Sequence, residues 1–412
     1  MFKRLGAVLL STTTINAVSA VQANAADAVV IEPEPVEYVR VCDAYGAGFF
    51  FIPGTETCIR LGGFVRSSYE KVHLDGQLAS GAALAEDNLT AWTNRGRLNV
   101  DTRNETEFGT LRALYRLEGG DSNTDADVDM DIALISLAGF RAGFAGSTYW
   151  SSNTDWVNFS AIGGLGPGGL IDEGWLSFSD ATIFDYTFAF ENLTVTVGVE
   201  DPRIDFSQVT IGGAEGGNAT NNGGTAGEVN FYAGFNYAGE IATIAFTAVH
   251  DSLATESTTL IAAGSAAEGG WAYRGNIAIN LESFVPGGKL VGQYSYDGNY
   301  RTAYVHTDGV TFDPEAIWGL AFEANLTDEL QFVSQYMKAE ADPDEGEGDA
   351  HIAGVGLNWF PDAAPGFSLR ASYFFGEVED SLGFNAVGAT VAAADRASYD
   401  FDGFFVGVRR DF

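Results

Sequence analysis

Segments of about ten residues with period-two alternation recur from residue 58 to the end of the chain, and the gaps between them alternate between short and long. Two extended segments joined by a short turn must be antiparallel neighbours. TNRGRLNVDTR passes through Asn104 to Gly109 into TLRALYRLE, DIALISLAG turns into FRAGFAGSTYW, and IFDYTFAF turns at Glu191-Asn192 into LTVTVGVE. The same rhythm carries VNFYAGFNY into IATIAFTAV, WAYRGNIAINL into KLVGQYSY, IWGLAFEANL into LQFVSQYMKA and HIAGVGLNWF into FSLRASYFFG. With CIRLGGFVRSSY at the start and YDFDGFFVGVRRDF at the end, about sixteen strands are expected. Eight long gaps, at 71–89, 119–127, 151–182, 202–228, 251–270, 297–313, 340–348 and 377–398, alternate with seven short turns.

The side chains decide what surrounds these strands. On an extended chain, Arg95, Arg97, Asn99, Asp101 and Arg103 share one face while Gly96, Leu98 and Val100 share the other. Arg112, Arg116 and Glu118 oppose Leu111, Ala113, Tyr115 and Leu117 in the same way, so the two arginine faces are contiguous. A soluble sheet could bury such a face only by pairing every charge, and a sandwich or propeller would not alternate its connections so regularly. No blade-length repeat is present either. The pattern predicts an all-β transmembrane barrel, antiparallel, with long extracellular loops, short periplasmic turns, apolar residues towards lipid and charges lining a wet interior. Phe404, Val406, Val408 and Phe412 alternate to the last residue, which predicts that Phe412 helps close the final strand on the first. Trp92, Tyr115, Trp359 and Phe404 are candidates for interfacial girdles.

The N-terminus has the form of a secretory signal peptide, residues 1–25: a basic MFKR start, a short apolar stretch and Ala23-Asn24-Ala25 before the expected cut. No apolar run reaches the roughly 20 residues of a spanning helix. Residues 26–57 then form an N-terminal periplasmic segment, and 58–412 the barrel. Cys42 and Cys58 have no third or fourth ligand nearby, so in an exported chain they are expected to form one disulfide rather than a metal or redox site. The formal charge of -35 argues against nucleic-acid binding and for weak attraction of cations.

Other chemistry finds little footing. Asp121, Asn123, Asp125 and Asp127 start like a calcium loop, but Ala126 replaces the required Gly and Ile132 the terminal Glu. Asp127, Asp129 and Asp131 alternate with Val128, Met130 and Ile132, which reads as a strand with an acidic lumen face. GGLGPGG at 163–169 has no following Lys-Ser or Lys-Thr and reads as a bend, not a phosphate loop. His73, His250, His306 and His351 show no zinc spacing, so no metal or cofactor is expected. A barrel enzyme, with Ser or Asp beside His250 or His306 at one rim, is the reading from another class.

The segment PEPVEYVRVCDAYGAGFFFIPGTETCIRLGGFVR, the NETEFGTLRALYRLE hairpin, LAGFRAGFAG and the terminal Phe together resemble the trimeric general porins of alphaproteobacteria. The resemblance implies a homotrimer of sixteen-stranded barrels set in outer-membrane lipid and lipopolysaccharide, passing small hydrophilic solutes and ions by diffusion. It also implies that the third long loop, 151–182, folds inward. Asp155, Asp172, Glu173 and Asp180 of that loop would then face a basic wall of Arg95, Arg97, Arg103, Arg112 and Arg116. The acidic tetrapeptide of many enteric third loops is absent. A modest cation preference is expected from the excess of acid, with a substrate-specific channel as the alternative.

Overall fold

The structure, a computed structural model, describes residues 40–78, 88–122, 126–146, 180–202, 229–250, 271–298, 314–341, 349–382 and 396–412. The expected signal peptide, residues 26–39, and Asp155, Asp172 and Glu173 lie outside the described residues.

A single 3-10 turn, Asp43–Tyr45, precedes the strands. In chain order these are β1 (Phe50–Phe51), β2 (Cys58–Leu78), β3 (Asn88–Thr106), β4 (Gly109–Ser122), β5 (Ala126–Leu137), β6 (Phe140–Gly146), β7 (Asp180–Phe190), β8 (Leu193–Pro202) and β9 (Asn230–Ala238). The second half adds β10 (Ala242–His250), β11 (Trp271–Asn280), β12 (Lys289–Gly298), β13 (Pro314–Asn325), β14 (Leu330–Ala341), β15 (Ala350–Trp359), β16 (Phe367–Leu382) and β17 (Arg396–Asp411). Each strand from β2 to β17 pairs antiparallel with the next, and β17 pairs with β2. The result is a closed sixteen-stranded barrel, with the two-residue β1 appended to the start of β2. Phe412 completes the seam: its N–H donates to the Gly63 carbonyl at 3.1 Å, and its carbonyl accepts from Gly63 N–H at 3.0 Å. Closure pairs the last strand with the first, as a sheet in lipid requires.

The tight turns follow from local chemistry. Ala138 and Gly139 both take positive φ, at 51° and 89°, and so make the two-residue turn that suits the twist between β5 and β6. At the β3–β4 turn Thr106 Oγ donates to the Gly109 carbonyl at 2.6 Å and accepts from Phe108 N–H at 3.2 Å.

Outside and inside are inverted relative to a soluble protein. Val65, Leu98, Tyr115, Ile135, Phe184, Val355 and Val406 are exposed, whereas Asp101, Glu118, Asp185, Gln293 and Asn358 are buried. The candidate girdle residues Trp92, Tyr115, Trp359 and Phe404 are all exposed on the outer face, and Tyr69 packs between Trp92 and Phe404. The interior is not wholly charged, however: Ile317, Met337, Ile352, Phe374 and Phe401 are buried at inward positions of β13 to β17.

Several strands run further than the alternation indicated. β2 continues to Leu78, β16 reaches Leu382, and β17 begins at Arg396. Beyond the lipid both faces meet water, so backbone pairing persists while the apolar face that marks it in the sequence fades. Likewise the loop expected to end at Thr182 ends earlier: Asp180 opens β7, opposite Gly146.

Candidate pore wall

β3 and β4 carry the predicted basic face, and the register fixes its rungs. Arg97 lies opposite Glu118, Asn99 opposite Arg116, Asp101 opposite Leu114, and Arg103 opposite Arg112. Asp101 is the centre of the lowest rung, with a side chain only 2% exposed. Arg103 donates to it at 3.2 and 2.9 Å, Arg112 at 2.9 and 3.1 Å, and Arg60 from β2 at 3.4 Å. Bidentate guanidinium–carboxylate pairs are among the strongest side-chain contacts, and a buried carboxylate with several donors stays ionised. Two rungs higher, Glu118 takes both Arg95 and Arg97.

The third carboxylate is placed by an irregularity. Register slips between Arg116 and Leu117, whose partners on β5 are Ile132 and Met130, so Asp131 is the extra residue of a bulge. It turns to the arginines, 3.2 Å from Arg116 and 3.7 Å from Arg97. Asp131 is thus on the lumen side as expected, and the bulge brings Ile132, opposite Arg116, to that side as well. Arg116 also donates to Asn99 Oδ1 at 2.9 Å.

Further round, Arg141 on β6 grips Asp185 on β7 at 2.9 and 2.6 Å, and Tyr232 on β9 donates to the same carboxylate at 2.6 Å. On the other side closure brings β16 and β17 beside β2, adding Arg370 and Arg409 to Arg60 and Arg66. Arg409 holds Asp411 at 3.0 and 2.6 Å and lies over the Phe64 ring, 4.1 Å from its centroid. Arg97 covers the other neighbourhood of that ring at 5.1 Å.

The N-terminal segment is fastened under this wall. Cys42 and Cys58 form the expected disulfide, with Cα atoms 6.1 Å apart. Phe49 is buried against the bridge, and the guanidiniums of Arg103 and Arg60 sit 4.8 and 4.9 Å from its ring centroid. Cation–π contact and the shared Asp101 thus fix the same two arginines from both sides.

All five predicted basic residues lie together. Sequence reasoning missed Arg60, Arg66, Arg370 and Arg409 as members of the same wall. The available signal was closure itself, since the last strand, with Arg409 and Asp411 at alternate positions, had to lie beside the first. Of the four predicted acidic residues, Asp155, Asp172 and Glu173 are outside the described residues, and Asp180 stands on a strand. The wall formed by β10 to β15 is different in kind. Its buried polar side chains include Thr247, Asn276, Gln293, Ser295, Gln335 and Asn358, punctuated by Arg274.

A sixteen-stranded barrel with an apolar exterior and such an interior is the geometry of an outer-membrane channel. Residues 27–402 match the model of a porin subfamily. The chain belongs to the porin subfamily. This porin is 43% identical over 122 residues to outer membrane protein IIIA of Rhizobium leguminosarum bv. viciae, covering 29% of this chain and 31% of that protein. It is 35% identical over 266 residues to porin Omp2b of Brucella abortus (strain 2308), covering 58% of this chain and 64% of the relative. The matched regions thus span less than two thirds of these curated relatives. Among solved structures, the outer membrane channel DcaP of Acinetobacter baumannii shares the fold with a TM-score of 0.56 at 13% identity, covering 88% of this chain and 99% of that one. An anion-selective porin from Comamonas acidovorans gives 0.54 at 17% identity, covering 87% and 100%. The porin is an integral β-barrel of the outer membrane.

Proposed function

We propose that this porin is a general diffusion channel: a homotrimer whose barrels pass small hydrophilic solutes and ions without energy coupling, with modest cation preference. The observation that carries the reading is the contiguous charged wall on β2 to β4, β16 and β17, set inside an apolar shell. Side-chain charges along a wide passage orient water and set ion preference without building a tight site.

The sign of the preference follows from how the arginines are used. Asp101 takes three of them, Glu118 two, and Asp131 is shared by Arg116 and Arg97. Close pairing shortens the reach of the positive field, while the chain as a whole carries -35. Cations therefore accumulate at the mouths. In this reading Asp155, Asp172 and Glu173 of the third loop supply carboxylates facing Arg95, Arg97, Arg103, Arg112 and Arg116.

The deciding measurement is single-channel current from the purified protein in a planar bilayer, with reversal potential under a potassium chloride gradient. Three equal conductance steps and a cation-directed potential are expected. A protein that inserts but carries no current would overturn the diffusion reading; an anion-directed potential would overturn the selectivity.

A further inference from the structure

Eight arginines of the barrel wall share a rule, and Arg370 departs from it. Arg60, Arg103 and Arg112 have Asp101, Arg95 and Arg97 have Glu118, Arg116 has Asp131, Arg141 has Asp185 and Arg409 has Asp411. Arg370, on an inward position of β16, has neither a carboxylate nor a hydrogen-bond acceptor among the described residues, and its Nε is buried. Its charged neighbours are Arg409 and Arg66, which repel it, and Asp411, which is already gripped by Arg409. A partly buried guanidinium among like charges, without its own counter-charge, is an unfavourable arrangement that an anion relieves.

The surroundings provide further donors. The register places Ser368 opposite Arg409, Arg409 opposite Arg66, and Arg66 opposite Arg95, so donors line one row across four strands. In the adjoining row Arg370 lies opposite Gly407, and Gly407 opposite Ser68, two small residues at the floor. A Cβ on Gly407 would come within 2.8 Å of the Phe405 ring, so that ring covers the glycine and bounds the site on this side. Ser368 is 3% exposed, and its Oγ has no hydrogen-bond partner among the described residues.

We propose that Arg370, with Arg66, Arg409 and Ser368, forms a docking site on the lumen wall for a phosphate group, carried by free phosphate or by a phosphorylated small solute. The proposal rests on the diffusion-channel reading for access. A tetrahedral oxyanion presents several acceptors to donors that converge from adjacent strands, and the Arg370 fork offers two parallel N–H groups to it. Chloride offers one centre and no such match. The site is a resting point on the path of phosphorylated solutes, specific in chemistry but not in the rest of the molecule.

The test uses the full-length protein in planar bilayers, with inorganic phosphate, glucose 6-phosphate or glucose added to potassium chloride on one side. A saturating fall in current with phosphate and with glucose 6-phosphate, but not with glucose, is expected. Saturation by glucose 6-phosphate alone would assign the site to phosphorylated solutes rather than free phosphate. The half-saturating concentration should rise at least tenfold in Arg370→Gln and less in Arg370→Lys, which keeps the charge and loses the fork. Ser368→Ala, expected to weaken binding severalfold, serves if Arg370→Gln fails to fold. A current that falls linearly, equally with all three solutes and equally in every variant, overturns the site while leaving the channel intact. If the bilayer is silent, titration calorimetry of phosphate onto the detergent-solubilised protein decides the site separately: heat in the wild type that Arg370→Gln abolishes supports it, and no heat in the wild type overturns it.

Discussion

The charged wall on β2 to β4, β16 and β17 and the neutral wall on β10 to β15 are made of the same antiparallel sheet, yet they solve burial in opposite ways. On the charged wall Asp101 and Glu118 are as buried as any core residue and are tied to arginines of neighbouring strands. Across the barrel, Asn276 and Gln293 are register partners, and none of their four amide nitrogens and oxygens has a hydrogen-bond partner among the described residues. The charged wall also has the longer strands: β2 spans 21 residues and β3 19, against 9 for β10 and 10 for β11. Charges inside a barrel are thus tolerated where a neighbouring strand supplies the opposite charge at the same height, and they stitch those strands together. The neutral wall has no such run of charged rungs among the described residues; its strands are joined by backbone pairing and by amide contacts such as Asn358 to Gln331 at 3.1 Å.

The largest break in this contrast should come from Asp101→Ala. It strands Arg60, Arg103 and Arg112 beside one another, and removing one partner of a buried charged cluster costs about 3 kcal/mol. Thermal unfolding in detergent should shift clearly downward, and the reversal potential should move towards anions. An unchanged melting temperature would mean that water already screens the rung.

Second in size is loss of the disulfide. Cys42→Ser removes a closure worth roughly 3 kcal/mol in the chain-entropy picture, less whatever order the open segment keeps. The effect should be local, loosening Phe49 from Arg60 and Arg103 while the barrel stays closed at Gly63 and Phe412. Limited proteolysis at residues 40–57 with an intact barrel fragment is the expected result; unfolding of the whole chain would show that the segment holds the barrel rather than the wall.

Tyr232→Phe is milder. It deletes one hydrogen bond to Asp185 while the bidentate Arg141 contact remains, so about 1 to 2 kcal/mol should be lost, with little change in selectivity. A large shift in reversal potential would show that Tyr232, and not Arg141, sets the field on that side.

How much of this contrast the sequence revealed depends on which physical signal carried it. Period two exposed the strand count, the facing of Arg95 to Arg103 and the outward Leu98 and Val100, because lipid imposes the alternation on every spanning residue. The Cys42–Cys58 bridge needed only a count and a compartment. The third loop was read too long because Asp180, Ala181 and Thr182 look like loop residues, although Ala181 pairs with Ala145 and Thr182 with Phe144. Asp131 faces the lumen as the alternation implies, but Ile132 joins it there through a bulge, and a bulge leaves no period to read. Arg370 was invisible as a neighbour of Arg66 because their adjacency through β17 appears only once the barrel closes. The neutral wall was missed because Asn276, Gln293 and Ser295 alternate with apolar residues as any half-polar strand would, and nothing in composition says that they go unpaired.

That last point yields the smallest and sharpest prediction. Asn276→Ala deletes a side chain only 4% exposed, a kind of change that ordinarily destabilises a buried site. Here both polar atoms of the amide lack a partner among the described residues, so the substitution removes no hydrogen bond to them and relieves the desolvation of the group. The lost packing is small, and Ala245, its partner on β10, already leaves space beside it. Stability should change by less than about 1 kcal/mol, and reversal potential should not move, since no charge is altered. Set beside Asp101→Ala, a near-neutral result makes the two walls energetically distinct as well as chemically different. A loss comparable to that of Asp101→Ala would mean that Asn276 is held by bound water or solute as firmly as the arginines are held by their carboxylates, and the energetic division between the charged wall and the neutral one would fall.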